Sequence, residues 1–183
     1  VMKIFGFPFD RGRLDTAHHP FSGGADGDVR ITTRYSEDDF MKSLMAVIHE
    51  TGHALYEDGR PAQWLGQPVG NSRGMTLHES QSLLLEMQAA RSEEFIRFLV
   101  PTIKRALGGE GPAWEPDNIL RVYRKVEPGL IRVYADEVTY PLHVILRYKL
   151  EKAIISNDLA THDLPGAWND LMESLVGVRP TNA

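Results

Sequence analysis

The sequence predicts a mainly α chain with one short extended segment near its N-terminus. Three observations carry that expectation. Apolar residues recur at helical spacing in several stretches after residue 36, β-prone alternation is confined to one early run, and Gly-Pro clusters separate the stretches. The length of 183 residues suits one domain or a piece of a larger one.

The first 35 residues are rich in Gly, Pro, Asp and aromatics and read as loop, except for Asp28 to Tyr35, where Val29, Ile31, Thr32, Thr33 and Tyr35 predict a strand. Ser36 is a good N-cap, Glu37 to Asp39 suit the positive end of a helix, and Phe40, Leu44, Val47, Ile48, Thr51 and Leu55 give it an apolar face. That helix is placed at about 37–58, with Gly59 as its stop. Residues 59–75 hold four Gly and two Pro and form a loop. A second helix starts near Leu77, with Thr76 and Glu79 as a capping box, and continues through Leu83, Leu84, Met87, Ala90, Phe95 and Phe98 to a break at Pro101. A short helix then reaches Leu107, and Gly108 to Pro112 is loop. Helical patterning resumes from Pro116-Asp117 to Val126. It returns over about 130–155 with a kink at Pro141, and again from Pro165 to Val176 behind Asp163.

Composition narrows the function classes. Hydrophobic residues make up 42% and charged residues 25%, which excludes a disordered chain. A net charge of -5 argues against binding a phosphate backbone, so no nucleic acid is expected. No apolar run reaches the roughly 18–20 residues that span a bilayer, and no membrane partner is expected. The opening Val1 to Asp10 is too short and too soon acidic for a signal peptide. Cysteine is absent, which excludes disulfides, thiolate metal sites and Cys nucleophiles, and fits a cytoplasmic location. Any metal must then be held by His, Asp or Glu.

His49-Glu50-Thr51-Gly52-His53 is an H-E-x-x-H motif within the first long helix. Residues at i and i+4 share one helix face, with Cβ atoms about 5–6 Å apart, so both imidazoles can reach one ion. Glu50 is turned away from the two ligands, beside the metal, where it can take a proton from water. A third ligand must come from elsewhere. The next helix offers Glu79 in its first turn, and Glu86, one heptad on, competes with it. Position favours Glu79, although capping the helix behind Thr76 would by itself explain that residue.

Beyond these residues, the chain resembles the thermostable-carboxypeptidase family of zinc metallocarboxypeptidases, the M32 peptidases. The matching motifs are His19-Pro20-Phe21, Asp28-Val29-Arg30-Ile31-Thr32, His49 to His53, His78-Glu79-Ser80-Gln81 and Ile131-Arg132-Val133-Tyr134-Ala135-Asp136. The resemblance implies a helical zincin-type catalytic core similar to neurolysin and the angiotensin-converting enzymes. It implies zinc, with cobalt as a substitute, held by His49, His53 and Glu79, and Glu50 as general base. The implied reaction is removal of single C-terminal residues from peptides by a homodimeric enzyme. Members of the family are longer and end in a Gly-x-x-Gln-Asp-x-His-Trp motif that this sequence lacks. Residues 1–183 are therefore expected to be a single partial domain, weak or inactive alone, since the donor for the tetrahedral oxyanion lies in that region.

An exopeptidase needs a group for the terminal carboxylate, and Arg132 and Arg30 are the candidates because a guanidinium fork takes both oxygens. Each has a plainer reading as an ion pair, Arg30 with Asp28 and Arg132 with Asp136. Asp136 or Glu57 could orient a ligand imidazole. His18 and His19 read as loop anchors or groove-lining groups, His143 as a core histidine and His162 as surface. Leu83, Leu84, Met87 and Phe95 read as core, and Trp64, Trp114 and Trp168 as packing. The rival readings are a zinc endopeptidase or aminopeptidase with the same ligands, and a non-catalytic helical fragment that self-associates.

Overall fold

Alternation along residues 28–33 organises the first of two units into which the chain divides, Val1–Glu110 and Gly111–Ala183. The computed structural model describes residues 1–181, so the last two residues of the predicted domain, Asn182 and Ala183, lie outside the described residues. The chain is mainly helical with one small sheet, as the sequence predicts.

In the first unit a single turn, α1 (Met2–Phe5), precedes three strands: β1 (Gly12–Thr16), β2 (Phe21–Ala25) and β3 (Asp28–Thr33). The order is β1-β3-β2, with β1 parallel and β2 antiparallel to β3. Asp26 and Gly27 turn β2 into β3, with Gly27 at a positive φ of 80° that glycine adopts without steric cost. Val29, Ile31 and Thr33 face inward, where Val29 and Ile31 join Met2, Phe7, Val47 and Ala54 in one apolar cluster. The predicted strand is present, but the expectation of loop before it is corrected. β1 and β2, rich in Gly, Asp and Ser, have weak strand propensity and are recruited by the backbone hydrogen bonds that β3 offers.

α2 (Phe40–Asp58) follows, capped by Asp39, not Ser36: Lys42 N–H donates to Asp39 Oδ1 at 3.0 Å. After two 3₁₀ turns, Ala62–Trp64 and Pro68–Gly70, α3 (Met75–Leu83) begins at Gly74 with no side-chain cap. Thr76 lies inside this helix, so the capping box is corrected and Glu79 is released from that duty. α3 runs into a π-helical stretch, Leu84–Ala89, and the chain then breaks before α4 (Glu93–Leu107). The break falls at Ala90–Ser92, where Ser92 Oγ accepts from Phe95 N–H, and not at Pro101. Pro101 sits exposed within α4, while Ile96, Leu99, Val100 and Ile103 bury the opposite face and hold the helix across the missing hydrogen bond. Within the predicted apolar stripe Ala90 is buried but Leu84 is exposed, while Ser82, outside the stripe, is buried against α2.

The second unit holds α5 (Pro116–Tyr123), a 3₁₀ turn at Arg132–Tyr134, α6 (Thr139–Ile155) and α7 (Leu164–Leu171), which passes into a π turn, Met172–Val176. Residues 130–138 are thus not regular helix. Pro141 is the third residue of α6, where a backbone N–H has no partner within the helix, so no kink arises. Leu146, Leu150, Met172 and Val176 form the core, with Trp168 packed against it and stacked on Arg147, 4.9 Å from the ring centroid. Asp136 is the organiser here. Its carboxylate accepts from the N–H groups of Val138 and Thr139 at 2.9 Å, from Glu127 N–H at 3.0 Å, and from Thr139 Oγ1–H at 2.9 Å. The expected Arg132–Asp136 pair is corrected accordingly, because Arg132 Nη1–H donates to Tyr140 OH at 2.9 Å.

Burial pushes the Asp136 carboxyl up, but its bonds from Thr139, Glu127 and Val138 outweigh this and bring it below its ordinary 3.8. Its contribution is therefore complete above that value and is lost as pH falls through the lowered one. Asp136→Ala should lower the unfolding free energy by about 1–2 kcal/mol at pH 7 in urea melts. Asp136→Asn should keep part of the cap and lose the acid-side decline. An alanine variant with unchanged stability would show that the cap has no weight.

Candidate metal centre

The rings of His49 and His53, one turn apart on α2, lie 4.8 Å centroid to centroid at 78°, and both are largely buried. Between them on the chain, Gly52 sets how near α3 can come. A Cβ at Gly52 would lie 2.6 Å from Ser82 Cα and 2.8 Å from the Gln81 carbonyl oxygen, and these backbone atoms cannot swing aside. The two helices thus meet backbone to backbone, and Glu79, three residues before Ser82, reaches the imidazoles. Its Oε2 lies 3.3 Å from His53 Nε2 and 3.8 Å from His49 Nε2.

One atom from each of His49, His53 and Glu79 lies within 4.8 Å of the other two. Tetrahedral zinc with bonds of about 2.0–2.2 Å needs its ligand atoms about 3.3–3.6 Å apart, a spacing that Glu79 and His53 meet at 3.3 Å and Glu79 and His49 approach at 3.8 Å. Glu86 stands on the other side of His49, where Nδ1–H donates to its Oε2 at 2.8 Å. A carboxylate only accepts, so the neutral His49 ring carries its proton on Nδ1 and turns the Nε2 lone pair toward Glu79. Burial pushes the His49 pKa down, but the hydrogen bond and charge of Glu86, with the charges of Glu79 and Glu50, carry it above its ordinary value. The same negative field favours a bound cation.

Glu50 is buried among these charges. Burial pushes its carboxyl up, opposed by His49 and His53, helped by Glu79, and opposed also by His19, which places that loop histidine within reach of the site's field. The net rise makes Glu50 a carboxylate that takes a proton more readily than an exposed one. Behind His53 lies a chain of polar groups. His53 Nδ1 and His78 Nδ1 are 2.6 Å apart, His78 Nε2 is 2.8 Å from Glu57 Oε1, and Arg60 Nε is 2.7 Å from Glu57 Oε2. Arg60 Nη2–H donates in turn to Asp26 Oδ1 at 2.6 Å, in the turn between β2 and β3.

The first unit therefore assembles His49, Glu50, His53 and Glu79. Arg30 is also in this unit, on β3, but is more than half exposed and bonded to Asp28 through Nε and Nη2 at 2.9–3.0 Å. Arg132 belongs to the second unit, over the Tyr140 ring. His143 is a fully buried core histidine whose Nε2–H donates to Gly129 O at 3.1 Å, and His162 is exposed, both as expected. His78 and Glu86 were not foreseen in their places, nor Arg60. The signals were present: Glu57 follows His53 by one turn, Arg60 follows Glu57 by three residues, and His78 adjoins Glu79.

The family model described as Carboxypeptidase Taq (M32) metallopeptidase matches residues 1–183. Carboxypeptidase 1 of Bacillus subtilis is 41% identical over 180 residues, covering 98% of this chain and 36% of that protein. Thermostable carboxypeptidase 1 of Thermus thermophilus is 42% identical over 181 residues, with 98% and 35% covered. Among solved structures, Trypanosoma cruzi metallocarboxypeptidase 1 matches with a TM-score of 0.92 at 46% identity, over 97% of this chain and 36% of that one. The M32 carboxypeptidase of Deinococcus radiodurans matches with a TM-score of 0.92 at 39% identity, over 98% and 36%. This chain spans about a third of the length of the relatives it matches.

The Gly52 contact is directly testable. Gly52→Ala should cost about 1–3 kcal/mol by forcing α2 and α3 apart, and the same displacement should weaken divalent-cation binding. Urea melts and zinc titration of the variant check both. A variant as stable as the parent, with equal zinc affinity, would mean that the close approach does not set the site.

Proposed function

This chain belongs to the Carboxypeptidase Taq (M32) metallopeptidase family, and on that premise we propose that it carries the catalytic centre of a metal-dependent carboxypeptidase. The observation that carries the reading is the convergence of one atom each from His49, His53 and Glu79 within 4.8 Å. The proposed cation is zinc, with cobalt as a substitute, and the proposed substrates are peptides with a free C-terminus. A cytoplasmic location and self-association complete the proposal. Support for self-association comes from large apolar side chains left exposed along α6, including Val144, Ile145 and Tyr148.

His49 and His53 would bind the cation through Nε2 and Glu79 through Oε2. When bound, such a cation supplies Lewis acidity, bringing the pKa of water towards about 7 and polarising the scissile carbonyl. Glu50 accepts the proton of the attacking water and delivers it to the leaving amine. The terminal carboxylate falls to a guanidinium, Arg132 or Arg30, and Arg30 would have to exchange Asp28 for the substrate. The family's Gly-x-x-Gln-Asp-x-His-Trp motif is not among these 183 residues, so slow or absent hydrolysis is expected of this stretch alone.

Zinc content after equilibration and dialysis is the primary test, with about one ion per chain expected. Glu79→Gln should lose it, and a parent protein without bound zinc would overturn the reading. In protein that hydrolyses peptides, Glu50→Gln should lower the rate by about 10²–10⁴-fold while retaining the metal. A peptide amidated at its C-terminus should resist hydrolysis that its free-ended form undergoes. Cleavage of both would point to an endopeptidase. A monomeric mass by light scattering would remove self-association from the proposal.

A further inference from the structure

We propose that His78 and Glu57 are positioning residues that fix the His53 proton on Nδ1 and so present Nε2 to the cation, with Arg60 locking Glu57 in place. The inference rests on the metal-centre reading above and adds to it a role for groups that touch no ligand atom of the cation.

Hydrogen-bond direction sets the tautomers along this chain of groups. A neutral imidazole carries one proton, so one nitrogen donates and the other accepts. Glu57 is a carboxylate and can only accept, so the 2.8 Å contact with Glu57 Oε1 requires the proton of His78 on Nε2. The His78 Nδ1 is then a lone pair. It faces His53 Nδ1 at 2.6 Å, a separation that needs one hydrogen between the two nitrogens, and with His78 neutral it is His53 that supplies it. With its proton committed to Nδ1, His53 directs the Nε2 lone pair at the space it shares with Glu79. The opposite tautomer would aim an N–H there and exclude a cation. His49 receives the same instruction in one step, from Glu86, whereas His53 receives it in two.

The far end of the relay is anchored. Arg60 is largely buried, and its Nε meets Glu57 Oε2 at 2.7 Å while Nη2–H donates to Asp26 Oδ1 at 2.6 Å. Glu57 is thereby held between a guanidinium and an imidazole, with Oε2 and Oε1 each given one partner. The Tyr56 and His78 rings meet edge to face with centroids 4.8 Å apart, which fixes the plane of His78. Asp26 lies in the β2–β3 turn, so the sheet supports a ligand on α2 through four side chains.

The zinc affinities of the parent, His78→Leu and His78→Gln, measured by competition with a chromophoric chelator, test the inference. Leu removes the acceptor, while the Gln side-chain oxygen can still accept from His53. His78→Leu should weaken zinc binding by roughly 10–100-fold, as loss of such a partner does elsewhere, and His78→Gln should recover most of the loss. Equal affinity in parent and His78→Leu would overturn the inference and leave the metal centre standing, as would equal losses in both variants, which would mark a packing effect. A parent that binds no zinc would overturn the metal centre and this inference with it. If His78→Leu fails to fold, nitrogen-15 spectra of the metal-free parent decide: His53 protonated on Nδ1 supports the relay, and His53 protonated on Nε2 overturns it.

Discussion

The backbone contact between Gly52 on α2 and Gln81-Ser82 on α3 is the constraint on which the site depends. Two imidazoles on one helix are not enough for the proposed centre, and its third protein ligand must come from another element. A side chain at position 52 would meet main-chain atoms, which can yield only if a helix moves. Because Gly52 offers none, α3 comes close enough for a carboxylate of ordinary length to touch both rings. On the proposed reading, packing is the means by which a third donor is delivered.

Around that contact, the second organising force is the direction of hydrogen bonds. Carboxylates can only accept, so a carboxylate behind an imidazole decides which nitrogen keeps its lone pair. Glu86 acts on His49 from the π-helical stretch after α3, where i→i+5 pairing takes an extra residue into the turn. Glu57 lies one turn beyond His53 on α2 and meets it through His78. Three glutamates of the centre therefore differ in kind. Glu79 faces the space between the rings, Glu86 stands behind one of them, and Glu50 is buried beside both with a raised pKa. Nothing in their chemistry as free residues separates them, and burial and partner geometry do.

Much of this was legible in the residues. Helical spacing from Phe40 to Leu55, with Gly59 at its end, locates α2 to within a few residues, and the H-E-x-x-H pattern on it puts two imidazoles on one face. Alternation in Val29, Ile31 and Thr33 locates β3. Both are local rules, in which each side chain reports the periodicity of its own element. They failed where the deciding contact was remote. β1 and β2 exist because β3 offers an edge, α4 passes through Pro101 because four apolar residues bury its other face, and Thr76 does not cap α3 because the helix starts at Met75, two residues before Leu77.

For this chain the sequence alone determined which elements exist around the site and which residue types face along them, because those follow from repeats of 3.6 and 2 residues. It left Glu79 and Glu86 as alternatives, and it offered Arg132 an ion pair with Asp136. Only tertiary structure decided these. Glu79 and Glu86 are seven residues apart on a path that changes helical pitch, so which of them faces the rings depends on the turn between them and on the depth of the Gly52 contact. Asp136 is taken by the amide groups that begin α6, which leaves Arg132 to Tyr140. Distances between elements are set by the close packing of backbones, and no periodicity along a single element encodes them.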